Sequence, residues 1–222
     1  MDLYDVMRTT FAARDFIAGP VPDDVLGRIL DNARFAPSGG NRQGWHVIVV
    51  RDPAKRAALG PLIEPTYRRY LAEVKAGANP WNTVAPADLD ESAVDAVTIP
   101  DGFIERLVHA PTLLLVTVDL AVVAAMDQHL PRIGVVPGAS IYPFVWNILL
   151  AARNEGYGGT LTTFLAAEEA QVKPLFAIPK SHAVAAMLPL GRPVKQLTRL
   201  RRKPVAAFAT VDAFSGPVFG DA

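Results

Sequence analysis

Ala36-Pro37-Ser38-Gly39-Gly40-Asn41-Arg42-Gln43-Gly44-Trp45 lies between an amphipathic helical pattern and an apolar strand pattern. Glycine frees the backbone for close approach, and the Asn and Gln amides each donate and accept at once. With the Ser38 hydroxyl and the Arg42 guanidinium, the loop can meet a planar heteroaromatic ligand rich in hydrogen-bonding atoms. The same residue types also make an ordinary helix-to-strand turn, so spacing alone leaves both readings open.

Working outward, Pro22-Asp23-Asp24 opens a helix. Proline suits the first turn, the aspartates suit its positive end, and Val25, Leu26, Ile29, Leu30 and Ala33 form one apolar stripe. Asp2 to Thr10 reads as a shorter helix before it. Downstream, His46 to Val50 is β-inclined, and Asp52-Pro53 caps and starts a helix reaching Lys75. Leu113 to Val118 is a buried strand. Ser140 to Asn154 is a helix with Ile141, Phe144, Val145, Ile148, Leu149 and Ala152 on one face, Ser140 as its cap and Pro143 in its first turn. Thr160 to Leu165 reads as a strand, Glu168 to Phe176 as a helix, and His182 to Leu190 as a strand stopped by Gly191-Arg192-Pro193. Strands interleaved with helices predict a layered α/β or α+β fold.

Between residues 75 and 102 the periodicity fails: Pro80, Pro86 and Pro100 stand among scattered acids. A long excursion inside a compact domain is either functional or disordered. Trp81, with Tyr67 and Tyr70 upstream, suits a lid that packs on something; a floppy insertion is the alternative.

The chain has 222 residues, half of them hydrophobic, which suits one globular domain. Its formal charge is zero, arguing against nucleic-acid or acidic-membrane partners drawn by net charge. It contains no cysteine, which excludes disulfides, thiolate catalysis and cysteine-ligated metals. No basic-then-apolar leader opens it, and its longest apolar run, from Ala110 to Met126, is broken by Pro111, Thr117 and Asp119. A cytoplasmic location is the expectation.

Side-chain chemistry is sparse. The four histidines are scattered without ligand spacing, so no metal site is expected. Ser38 lacks a G-x-S-x-G elbow, and no phosphate-binding G-x-G-x-x-G or G-x-x-x-x-G-K-[ST] occurs. Hard chemistry absent from side chains points to a bound cofactor. Arg8, Thr9, Thr10 and Arg14 near one end, with Arg201, Arg202 and Lys203 near the other, are suited to clasp a phosphate. Solvated surface patches are the alternative.

Taken in order, Arg14-x-Phe16, the helix from Pro22, the Ala-Pro-Ser-x-x-Asn-x-Gln-x-Trp element ending at Trp45, Asn147 through Gly156, and Arg202-x-Pro204 resemble the nitroreductase-family flavoproteins. The resemblance spans nearly the whole chain and is weakest between residues 68 and 108. It implies an α+β fold, a three-layer α/β/α sandwich with a mixed, mostly antiparallel sheet. It also implies an intertwined homodimer holding FMN at the shared interface, with NAD(P)H as reductant and a small organic molecule as electron acceptor. The chain would then be one FMN-binding domain over 1–222, with the lid-like excursion at 75–102 and a C-terminal extension at 194–222 that embraces the partner.

By this resemblance, Arg8, Thr9, Thr10, Arg14 and Arg202 grip the FMN phosphate. Pro37, Ser38, Gly39, Asn41 and Gln43 contact the flavin from the other subunit. Thr160, Leu161 and Thr162 border the flavin N5 edge, where a backbone N–H stabilises the reduced ring. No side chain is catalytic in itself. Trp81, Tyr67 and Tyr70 are the substrate-binding candidates. The implied reaction is ping-pong hydride transfer from NAD(P)H to nitroaromatics, quinones or similar acceptors. A specialised relative (dehydrogenase, dehalogenase or flavin-destroying enzyme) and a non-catalytic flavin binder are the alternatives. Three departures stand out: Arg-Thr-Thr at 8–10 with extra residues before Arg14, Gly44 in place of the usual proline before Trp45, and Leu200 where a basic residue is common.

Overall fold

The computed structural model describes residues 1–220. The last two residues of the expected C-terminal extension lie outside the described residues. In chain order the elements are α1 (Leu3–Thr9), β1 (Phe16–Ile17), α2 (Asp23–Ala33), β2 (Trp45–Val49), α3 (Pro53–Lys75), α4 (Glu91–Asp95) and α5 (Phe103–Val108). They continue with β3 (Thr112–Asp119), α6 (Tyr142–Asn154), β4 (Gly158–Gly159), α7 (Glu169–Phe176) and β5 (His182–Pro193). The sheet order is β1-β5-β3-β2, with β4 also paired to β5.

The run Thr112-Leu-Leu-Leu-Val-Thr-Val-Asp119 is buried over nearly its whole length, as a central strand covered on both faces must be. Its alternation divides the core. Leu114, Val116 and Val118 face α2 and α6, meeting Leu26, Ile29, Phe144 and Ile148. Leu113 and Leu115 face α3, α5 and α7, meeting Leu59, Ile63, Leu107 and Val172. Helices thus cover both faces of one sheet, giving the α+β three-layer sandwich. Every named strand pair is antiparallel, and the parallel component among the described residues is one isolated bridge, Ala12 to Gly159. A bulge opposite Val116/Thr117 leaves Ala185 unpaired, so that Ala185 and Ala186 both face the α2–α6 layer.

Caps follow from composition. Asp2 accepts the Tyr4 N–H (2.9 Å) before α1, and Asp52 accepts the Ala54 N–H (2.8 Å) before α3. Ser140 does not cap α6. It ends a 3-10 turn over Val136–Ser140, and its hydroxyl accepts the Gly39 N–H (3.2 Å) instead. The expected stop at Gly191-Arg192-Pro193 is also corrected. β5 continues to Pro193 because Phe16 and Ile17 pair with Pro193 and Arg192, and Gly158 pairs with Gly191.

The predicted strand Thr160–Leu165 shrinks to a bridge between Thr162 and Met187, followed by a 3-10 turn over Phe164–Ala166. The register that sets Gly159 against Leu190 and Thr162 against Met187 puts Thr160 opposite Pro189. Proline has no N–H to return, so the ladder loses one of its two bonds there. Only Thr160 N–H to Pro189 C=O (3.3 Å) remains. The 75–102 excursion carries little regular structure beyond α4, and α5 follows directly after it.

Candidate functional site

The segment after β4 runs along an edge of the sheet, so alternate backbone groups point away from β5. Thr160 and Thr162 spend their N–H groups on Pro189 and Met187. Leu161 lies between them, and its N–H has no partner among the described residues. One step back, the Gly159 carbonyl accepts the Ala13 N–H (3.0 Å), which fixes the chain immediately before Arg14. No side chain fits at Gly159: a Cβ would stand 2.5 Å from the Pro189 oxygen and inside the Leu190 methyl. A glycine therefore lets β4, and the Leu161 segment that follows it, lie close against β5.

Arg14 and Leu161 line a common cleft of about 450 Å³, within the range of small-molecule sites. Tyr70, Trp81, Phe103 and Phe164 supply aromatic walls, and Thr162 and Thr66 supply hydroxyls. The Thr66 Oγ1 is buried and has no hydrogen-bond partner among the described residues. Arg14 is exposed, and among the described residues its side chain makes one long hydrogen bond, to the Ala12 carbonyl (3.4 Å).

Tyr67 is not on the cleft surface. It is 7% exposed and stacks on Phe103 with ring centroids 4.0 Å apart, so it supports the wall from behind. Burial raises its phenol above the ordinary tyrosine range, with Tyr70 adding to the effect. Arg14 and Arg106 pull it back.

The loop residues Pro37, Ser38, Gly39, Asn41 and Gln43 lie outside this cleft. The loop forms a 3-10 turn over Gly39–Asn41, with left-handed backbone at Gly40, Asn41 and Gln43 (φ 62, 53 and 51). Glycine takes that region freely and asparagine more readily than most; for glutamine it is uncommon. Ser38 Oγ accepts the Gln43 N–H (2.9 Å), and Gln43 Nε2 donates to Asn41 Oδ1 (3.2 Å). Trp45 anchors the far end by stacking on Phe144 at 4.6 Å. Gly44 is explained by crowding: a Cβ there would lie 2.6 Å from Val122 Cγ2, and its carbonyl accepts the Asp119 N–H (2.8 Å).

Of the phosphate-grip candidates, Thr10 is buried and its hydroxyl donates to the Val6 carbonyl (2.7 Å). Thr9 donates to Asp5 and accepts from Arg153 Nε (2.9 Å). Arg8 is exposed beside the Tyr4 ring, and Arg202 is exposed and bonds only the Arg201 carbonyl among the described residues. None of these four lines the cleft with Arg14. Sequence reasoning missed Thr66, Phe103 and Phe164. The Tyr67–Tyr70 spacing on α3 was the available signal for that aromatic wall. No cluster of metal-ligating side chains occurs among the described residues, and no described helix is long and apolar enough to cross a membrane.

The nitroreductase family profile matches residues 7–192. The chain belongs to the nitroreductase family. It is 29% identical over 194 residues to a Thermus thermophilus protein named NADH dehydrogenase, covering 86% of this chain and 87% of that one. It is 25% identical over 206 residues to human iodotyrosine deiodinase 1, covering 92% of this chain and 66% of the deiodinase. The crystal structure of oxidised iodotyrosine deiodinase bound to FMN and 3-iodo-L-tyrosine superposes with a TM-score of 0.68 at 22% identity. That match covers 96% of this chain and all of the other, 100%. The nitroreductase-like fold is thus shared with flavoproteins.

The residues at hand suit an FMN. An edge N–H without an internal partner, a guanidinium with one long contact, and a cleft with aromatic walls make a donor set for a planar ring bearing a phosphate.

Proposed function

We propose that this protein is an FMN-dependent oxidoreductase that takes hydride from NAD(P)H and delivers it to nitroaromatic, quinone or related organic acceptors. One site is used in turn, as ping-pong kinetics require. The observation that carries this reading is the Leu161 N–H, left without a partner among the described residues on a segment that lines the cleft together with Arg14. Bound FMN supplies the two-electron carrier that no side chain here provides.

The chain's own residues do the rest. Leu161 N–H donates where negative charge develops on reduction, and a fixed backbone dipole costs no reorganisation there. Arg14 would anchor the phosphate from the cleft wall, joined by Arg8 and Arg202, which lie outside that lining, and Thr9 and Thr10 hold the N-terminal segment in shape. Tyr70, Trp81, Phe103 and Phe164 exclude water and stack the acceptor. The loop at Pro37, Ser38, Gly39, Asn41 and Gln43 serves the cleft of a second copy. Its exposure outside its own chain's cleft supports a homodimer, as does the exposed C-terminal extension from 194, with Phe208, Phe214 and Phe219 uncovered. In this reading the chain is one FMN-binding domain, located in the cytoplasm, with the excursion at 75–102 as its lid.

An absorbance spectrum of the purified protein, followed by anaerobic reduction with NADH and NADPH and turnover with a nitro compound, tests it. Arg14→Ala and Arg202→Ala are each expected to weaken FMN binding about tenfold, the effect of one lost charge-assisted bond. Equal FMN affinity in both variants and wild type removes the phosphate assignment. A colourless protein that takes up no FMN ends the proposal. Similarity to iodotyrosine deiodinase favours a second reading, a reductive dehalogenase, which a halogenated phenol in the same assay separates. Flavin reduction without turnover of any acceptor would identify a flavin-sequestering protein instead.

A further inference from the structure

Glu73 is a buried carboxylate that the proposed function leaves idle. It sits in the last turn of α3, where the helix dipole disfavours an acid, and it is 3% exposed. Its Oε2 accepts the Trp81 backbone N–H at 2.7 Å, and its Oε1 accepts the Arg69 Nε–H at 3.2 Å. Its backbone carbonyl also accepts the Ala78 N–H (2.9 Å). Arg69 turns its guanidinium toward the Trp81 ring, 5.8 Å from the centroid, and reaches the Glu91 carboxylate at 3.8 Å. One acid on α3 therefore ties down the start of the excursion, and its arginine neighbour bridges to α4.

The residue held is an unexpected one. Asn82 N–H donates to the Asn79 carbonyl (3.2 Å), closing a turn with Pro80 second and Trp81 third. Trp81 has φ +56, the left-handed region that such a turn normally gives to glycine. A bulky residue persists in that conformation only where its surroundings over-determine it. Its indole is half-exposed and forms a wall of the cleft lined by Arg14 and Leu161.

We propose that Glu73, braced by Arg69, is a latch that positions Trp81 as the outer wall of the cleft and so sets which acceptors fit. The specificity half of this inference rests on the function proposed above; the latch itself does not. Glu73 is a positioning residue, acting through Trp81.

The test uses the full-length protein, loaded with FMN and labelled with 5-fluorotryptophan. Its three tryptophans give three fluorine resonances, and Trp81→Phe assigns one. Glu73→Ala is expected to move the Trp81 resonance to the position of a solvent-exposed indole while Trp45 and Trp146 stay in place. Glu73→Gln keeps an oxygen for the Trp81 N–H and is expected to restore most of the native position. In turnover, Glu73→Ala is expected to change the KM for a bulky aromatic acceptor by about tenfold, as loss of one charge-assisted bond implies. The rate of flavin reduction by nicotinamide is expected to be unchanged. Trp81→Gly, which relieves the left-handed backbone, is expected to fold at least as well and to reproduce the KM change, which keeps the test open should Glu73→Ala misfold. An unmoved Trp81 resonance in folded Glu73→Ala overturns the latch. A moved resonance with unchanged acceptor KM overturns the specificity role. The fluorine measurement needs no turnover, so a protein that binds no flavin defeats the proposed function without deciding the latch.

Discussion

Replacing Gly159 with alanine puts a methyl group where the structure has no space. The new Cβ would lie 2.5 Å from the Pro189 oxygen and 3.3 Å from Leu149 Cδ2, as well as inside the Leu190 methyl. Leu190 is fully buried and Pro189 contributes backbone, so neither can swing aside. Overpacking of this kind costs about 1–3 kcal/mol. Relief requires β4 to part from β5, which also strains the Ala13–Gly159 and Thr160–Pro189 hydrogen bonds. At about 1 kcal/mol each, these bring the total to about 3–5 kcal/mol. With a urea slope of about 2–3 kcal/mol/M, the unfolding midpoint should fall by roughly 1–2.5 M. Because Arg14 and Leu161, which line the cleft, adjoin these bonds, FMN affinity measured on the folded fraction should weaken as well. Gly27→Ala is the control. Gly27 lies inside α2 with open space around its Cβ, so that change should stabilise by about 0.5–1 kcal/mol. A Gly159→Ala midpoint indistinguishable from wild type would refute the close approach and the argument built on it.

Gly44→Ala should cost about 1–2 kcal/mol through the contact with Val122, and adding Val122→Ala should recover most of it in a double-mutant cycle read by thermal unfolding. Asp127 is buried; the Val135 backbone N–H, then Arg132, lowers its carboxyl from 3.8 to about 2. A carboxyl depressed in the folded state stabilises above its unfolded pKa, and that contribution fades as pH falls through the folded one. Asp127→Asn should therefore flatten the stability curve between about pH 4 and pH 2 relative to wild type, as acid titration followed by circular dichroism would report.

Long periodic segments were legible because their burial repeats the sequence pattern. The α6 face read from Ile141, Phe144, Val145, Ile148, Leu149 and Ala152 is buried as expected, and α3 begins at the Asp52 cap and ends at Lys75. What escaped depended on distant partners. β1 and β4 are two residues each and exist only because β5 runs beside them. The Thr160 segment has strand-forming residues, yet Pro189, remote in sequence, removes a bond from its ladder. At the site, Arg14, Leu161, Tyr70 and Trp81 were named separately, and the cleft unites them. Tyr67 was placed on the wrong side of the wall because helical spacing does not say which aromatic on α3 faces inward. Glu73 carried no sequence signal, since a glutamate near a helix end usually meets only water.

The order of the sheet has a consequence for how the polypeptide is made. Its central partner strand, β5, comes last of the five strands in chain order, yet it lies against β1, β3 and β4, all made earlier. Until residue 193 has left the ribosome, β3 has only β2 beside it, and its other edge waits without a partner. Translation therefore leaves an aggregation-prone edge open from the synthesis of β3 until that of β5, and a chain truncated before His182 has no means of building this sheet.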